Sequence, residues 1–147
     1  MRAFLVLALI CLTIGCKKDN TTENITEYNW VLKAQVISPA ITINGKTSTN
    51  YLSLQNPEWC SKNFTYVFYE SGLFQFSSNG SLCDMIPNSK LQNWKRDGDQ
   101  ITLDYGNAGS TIVILKVNGN SLIHTSEFTT NGEKYTLVST YLAVKSK

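Results

Sequence analysis

The sequence predicts an all-β fold, an antiparallel up-and-down meander of about eight strands closing into a barrel. Three observations point there. Short runs rich in aromatic and β-branched residues recur along the chain: FTYVFY, LFQFS, QITLDY, STIVILKV and YTLVSTYLAVK. Between them stand tight-turn signals, Glu70-Ser71-Gly72, Asp97-Gly98-Asp99, Asn118-Gly119-Asn120 and Asn131-Gly132. Such steps supply the positive φ angles that close hairpins require. No run of helical length carries an apolar stripe of period 3.6.

The chain opens on MRAFLVLALICLTIG, one positive charge at Arg2 followed by a short apolar run. That layout is a signal peptide over residues 1–15, too short for a permanent membrane span. The junction Leu12-Thr13-Ile14-Gly15-Cys16 resembles the lipobox of bacterial lipoproteins, with small Gly15 directly before the cysteine. The resemblance implies that Cys16 becomes the lipidated first residue of the mature chain. Several acyl chains on one cysteine anchor a domain stably where one chain would not. Lys17 follows the cysteine; in lipoproteins of Gram-negative bacteria Asp there retains the protein at the inner membrane, so the resemblance implies outer-membrane delivery. The Lys17-Lys18-Asp19 run is similar to a surface-export signal, which leaves periplasmic and cell-surface orientations both open. Residues 16–27 then read as the lipid site and a polar, non-periodic tether.

Four cysteines are present. Cys11 leaves with the signal peptide and Cys16 takes lipid, so Cys60 and Cys83 remain. An exported chain meets oxidising conditions, and the pair is expected to form a disulfide around the 64–77 hairpin. No CxxC or neighbouring histidine offers redox or zinc chemistry instead. Of thirteen basic residues cleavage removes Arg2, leaving twelve against eleven acidic ones. That balance, without a basic stripe, argues against a nucleic-acid partner.

The folded domain is expected over residues 28–147. Its first strand, NWVLKAQVI, should end at Ser38-Pro39, because proline lacks the ladder N–H. Ile41-Thr42-Ile43 reads as a short strand entering Asn44-Gly45, and residues 51–55 as one helical turn before Pro57. From Phe64 the hairpins follow in order, FTYVFY with LFQFS, LQNWKR with QITLDY, STIVILKV with SLIHTSEF, and EKYTLVSTYLAVK last. Eight such strands can close on themselves and lose their edges, with room for one small ligand.

The domain resembles the lipocalin-like domains of small bacterial lipoproteins. The resemblance rests on Trp30 early in the first strand, the Cys60–Cys83 bracket around an F-x-F…G-x-F hairpin, Trp94 opening the next hairpin, and the final strand YTLVSTYLAVK. Lipocalins place glycine two residues before the tryptophan, where this chain has Tyr28. The resemblance implies a barrel base closed by Trp30 beneath a basic residue of the last strand, here Lys145. It also implies binding of a small hydrophobic ligand, although fold alone does not fix function.

Chemistry of other kinds is sparse. His124 is the single histidine, so HExxH and His-rich metal sites are absent, and no GxSxG, Walker or GxGxxG motif occurs. Asp97 and Asp99 flank a turn glycine, a place for local hydrogen bonding and not a glycosidase pair. The sequence therefore predicts a non-catalytic protein with no cofactor and no metal. Candidate ligand-binding residues are Phe64, Tyr66, Phe68, Phe74, Phe76, Trp94 and Tyr105, with His124 on the same face as Leu122, Ser126 and Phe128. The aromatics serve equally as core filling for a small barrel. Two functions are expected: a membrane-anchored carrier of a small hydrophobic or amphipathic molecule, or an envelope interaction module whose loops contact protein or polysaccharide.

Overall fold

The computed structural model describes residues 24–56, 63–78, 90–106 and 112–145; Cys16, Cys60 and Cys83, and with them the lipid site and the disulfide, lie outside these residues. The strands are β1 (Tyr28–Ile43), β2 (Lys46–Asn50), β3 (Phe64–Phe68), β4 (Leu73–Ser78), β5 (Gln92–Asp97), β6 (Gln100–Asp104), β7 (Ile112–Asn118), β8 (Ser121–Thr130) and β9 (Glu133–Lys145). A 3-10 turn, Ile25–Glu27, precedes β1, and one short helix, α1 (Tyr51–Leu54), follows β2. β1 pairs antiparallel with both β3 and β9, so β1 and β3 to β9 form a closed eight-stranded antiparallel barrel with β2 attached to β1 as an extra strand. Among the described residues no helix is long and apolar enough to cross a membrane.

Turn chemistry sets the hairpins. At Asn44-Gly45 both central residues have positive φ, 52° and 75°, and at Asn131-Gly132 they have 51° and 79°. These are the two-residue turns whose twist matches that of the strands they join. In the β3–β4 turn Gly72, at φ 78°, donates its N–H to Tyr69 O (3.0 Å), and Tyr69 N–H reaches Leu73 O (2.8 Å).

β1 departs from expectation at Pro39. The strand does not end at Ser38-Pro39 but runs on to Ile43. Ser38 is the last residue of β1 opposite β9, and Ile41 resumes pairing with β2. Pro39 thus falls where β1 changes partner, a place where no ladder requires its missing N–H. A bulge between Leu32 and Ala34 also shifts the alternation. Before it Trp30 and Leu32 point inward; after it Gln35 and Ile37 do, and Val36 faces solvent at 52% exposure.

The core gathers at one end, called here the base, where the β3–β4, β5–β6 and β7–β8 turns lie. Trp30, Phe68, Phe74, Ile101, Leu103, Leu115 and Leu122 are each at most 1% exposed. Ile25 of the 3-10 turn seals the bottom and accepts the Trp30 indole N–H on its carbonyl at 3.0 Å. Trp30 lies opposite Ala143, while Lys145 is exposed and lies opposite Tyr28, whose ring meets Trp30 edge-on at 6.2 Å.

Candidate aromatic site at the barrel mouth

The other end, the mouth, is built from the start of β3, the end of β4, the end of β6 and the start of β7, with the Asn131-Gly132 turn opposite. Because alternate residues of each strand point inward, the sequence pattern fixes which side chains meet there. Across β3 and β4 the inward pairs are Phe68 with Phe74 and Tyr66 with Phe76, and Phe64 continues the same face. Across β5 and β6 Trp94 faces Leu103. β4 and β5 pair only at Leu73–Asn93 and Phe74–Gln92, and Trp94 N–H then turns to Gly72 O at 2.9 Å.

Seven of the eight candidate residues form one connected set of rings. Phe64 meets Phe76 (4.9 Å between centroids), Phe76 meets Tyr66 (4.7 Å), and Tyr66 meets Phe68 and Phe74 (6.1 and 6.3 Å). Tyr105 stands edge-on to Phe74 at 5.3 Å, and Trp94 edge-on to Phe68 at 5.2 Å. Edge-to-face and offset contacts of this kind add stabilisation beyond the area they bury. The set divides by depth. Phe68 and Phe74 are sealed in the core, whereas Phe64, Phe76, Trp94 and Tyr105 are half-buried and reach the surface. Trp94 belongs to the base end, where its indole N–H donates to Tyr69 O at 3.2 Å.

The sequence reading missed Tyr141 and Gln92. Tyr141, on β9, lies edge-on to Tyr66 at 5.0 Å and is 4% exposed. The Tyr66 and Tyr105 hydroxyls are 3.5 Å apart. Three phenols therefore stand together on an otherwise hydrocarbon wall. Burial holds the Tyr66 phenol well above its usual pKa, and the neighbouring Tyr141 and Tyr105 phenols push the same way. Burial pushes Tyr141 up to about 12, against the opposing pull of its hydrogen bond to Tyr66. Tyr105 is raised by burial, again against a hydrogen bond to Tyr66. The trio is a neutral hydrogen-bonding group at any physiological pH. Gln92 precedes Trp94 in the inward alternation of β5 and donates its Nε2–H to Tyr105 O at 3.0 Å. That alternation was the signal for Gln92, and the spacing of Tyr135 and Tyr141 in β9 was the signal for the third phenol.

His124 sits apart from the rings. It faces inward on β8 opposite Ser139 of β9 and Leu115 of β7, half-buried, and burial lowers its pKa. Beside it Gln35 donates Nε2–H to Ser139 Oγ at 3.0 Å, and both are buried. His124, Ser139 and Gln35 thus form a polar row across β8, β9 and β1, a face distinct from the aromatic one. A pocket of about 420 Å³ opens outside this row, lined by Lys33, Gln35, Val36, Asn50, Leu52 and Ser53 among others. Another, of about 500 Å³, lies on the outer wall where β4 and β5 diverge, between Gly72, Asn93, Asp104 and Ile112. Among the described residues no group of three or more metal-ligating side chains comes together. No protein-family model matches the chain, and no curated protein matches it in sequence.

Proposed function

We propose that this protein is a lipid-anchored, non-catalytic barrel, similar to the lipocalin-like domains of bacterial lipoproteins, that binds or carries a small apolar or amphipathic molecule at the cell envelope. The observation that carries the reading is the contrast within the aromatic set. Phe64, Phe76 and Tyr105 remain half-buried at the mouth of a closed barrel whose base is solid. Partly exposed aromatic surface with a few polar groups is the usual composition of a ligand-binding wall. Cys16 carries the lipid in this reading, Lys17 directs the protein to the outer membrane, and Cys60 and Cys83 are bonded.

Native mass spectrometry of residues 17–147, exported without the lipid cysteine and purified gently from a bacterial periplasm, tests it. The expected result is a bound mass of roughly a few hundred daltons, the size such pockets accept, lost on denaturation. A bare protein mass across independent preparations turns the search to protein or polysaccharide partners. One observation favours that second reading: Ile112 and Ile114 stand on the outer face of β7 at 60% and 53% exposure, next to the outer pocket.

A further inference from the structure

On the edge away from β9, β1 changes neighbour. Its pairing with β3 stops at Val31–Thr65 and its pairing with β2 starts at Val36–Asn50, so residues 32–35 face no described strand there. The short helix α1, which follows Asn50, fills only part of the gap. What remains is the pocket of about 420 Å³ on the outer wall, between residues 33–36 of β1 and residues 49–53.

The bulge of β1 supplies this pocket with a charge. Lys33 is the extra residue between Leu32, opposite Tyr141, and Ala34, opposite Thr140, so no residue of β9 stands across from it. Bulges re-aim side chains in this way. Lys33 lines the pocket, and among the described residues no carboxylate pairs with it. The amide oxygens of the wall are already taken. Asn50 Oδ1 accepts from Ser53 N–H at 3.3 Å, and Gln35 Oε1 accepts from Gln55 Nε2–H at 3.5 Å. With its oxygen committed to α1, Asn50 keeps an NH₂ group that has no protein partner among the described residues. No acidic residue lines the pocket. Val36, 52% exposed, and Leu52 give it an aliphatic side. The unspent groups are thus a cation and neutral donors beside hydrocarbon.

We propose that this pocket, separate from the mouth, binds a small aliphatic carboxylate. Its charge is held by Lys33 and the Asn50 NH₂ group, and its hydrocarbon lies on Val36 and Leu52. Charge-assisted hydrogen bonds favour the carboxylate over the corresponding alcohol. One lysine balances one negative charge, so a monoanion fits where a phosphate dianion would stay half compensated.

An NMR titration of residues 17–147, which include every described element, tests the proposal with hexanoate and 1-hexanol in dilute buffer at neutral pH. Hexanoate should shift the amides of residues 33–36 and 49–53 and bind about fivefold more tightly than the alcohol, the scale of one partly exposed charge pair. Salt at about 0.5 M should weaken hexanoate and leave hexanol unchanged, because it screens the lysine. Lys33→Gln should abolish the preference and Lys33→Arg should keep it. Equal affinities in the wild type overturn the proposal, and a preference that survives in Lys33→Gln overturns the role of Lys33. Shifts at Phe64, Phe76 and Tyr105 instead overturn this site and favour the carrier reading of the mouth. Failure of both compounds to bind overturns the proposal and leaves the mouth to the mass measurement. The wild-type comparison needs no variant, so a substituted chain that does not fold leaves the test intact.

Discussion

The base and the mouth of the barrel are made from the same strands and filled in opposite ways. At the base large side chains close completely, with Trp30, Phe74, Ile101 and Leu115 without accessible surface and Ile25 capping them. At the mouth the same alternation buries Ile37 and Tyr135 but brings in Phe64, Phe76, Tyr105, Val113, Ser126 and Phe128, none of them fully covered. The lower half supplies stability through packing, which tolerates no missing volume. The upper half keeps aromatic surface and neutral polar groups within reach of solvent.

Truncation at the two ends should break or sharpen this contrast most clearly. Trp30→Ala leaves a sealed cavity at the base and should cost about 3–5 kcal/mol in urea unfolding. Phe64→Ala at the mouth should cost less than half as much, since the site is already partly hydrated. Equal losses would mean that the two halves are packed alike. Next in size is the cysteine pair: Cys60→Ser or Cys83→Ser should remove about 3 kcal/mol under oxidising conditions by the chain-entropy account. Reductant should lower the Tm of the wild type to match, and no change in either experiment would sink the disulfide.

The phenols predict an alkaline limb. Their folded pKa values lie above the unfolded value of 10.0, so the folded state holds protons that the unfolded chain releases. Stability should be level below pH 10 and fall from there towards about 12, the value reached by Tyr141. Tyr66→Phe should blunt the fall, because burial keeps its phenol protonated well above 10.0 in the folded state. The smallest effect belongs to His124. Burial lowers its folded pKa below 6.5, so the unfolded chain binds the proton first, and stability should drop as pH falls below that value. Denaturation midpoints of His124→Gln between pH 7 and 5 should show a shallower drop than wild type; parallel curves would assign the acid limb to other groups.

Much of this architecture could be read from the sequence, and the misses have physical causes. Turn chemistry is local, so Asn44-Gly45 and Asn131-Gly132 announced their hairpins, and period-two alternation placed six rings on one inward face. Irregularity is not local. The bulge after Leu32 moves Gln35 and Ile37 inward and Val36 out, and nothing in LKAQVI marks the slip. Pro39 read as a terminator because its tolerance depends on which strand β1 pairs with at that point. The site was legible as a set of aromatics and not as a graded surface, since depth depends on strand tilt. Tyr141 joins the cluster from β9, far from the other rings in sequence, and Gln92 is a polar residue in a reading that sought rings, although its alternation with Trp94 placed it on the same face.

One strand escapes the closure. Among the described strands β2 has a partner on one side only, β1, so its outer backbone groups present an open template for another chain. Exposed templates of this kind seed aggregation, and proteins blunt them with short length, charge and polar side chains. β2 is Lys-Thr-Ser-Thr-Asn, brief and without an apolar residue, and Lys46 leads it. Where many copies crowd together, that composition is what keeps a leftover edge from recruiting its neighbours into fibres.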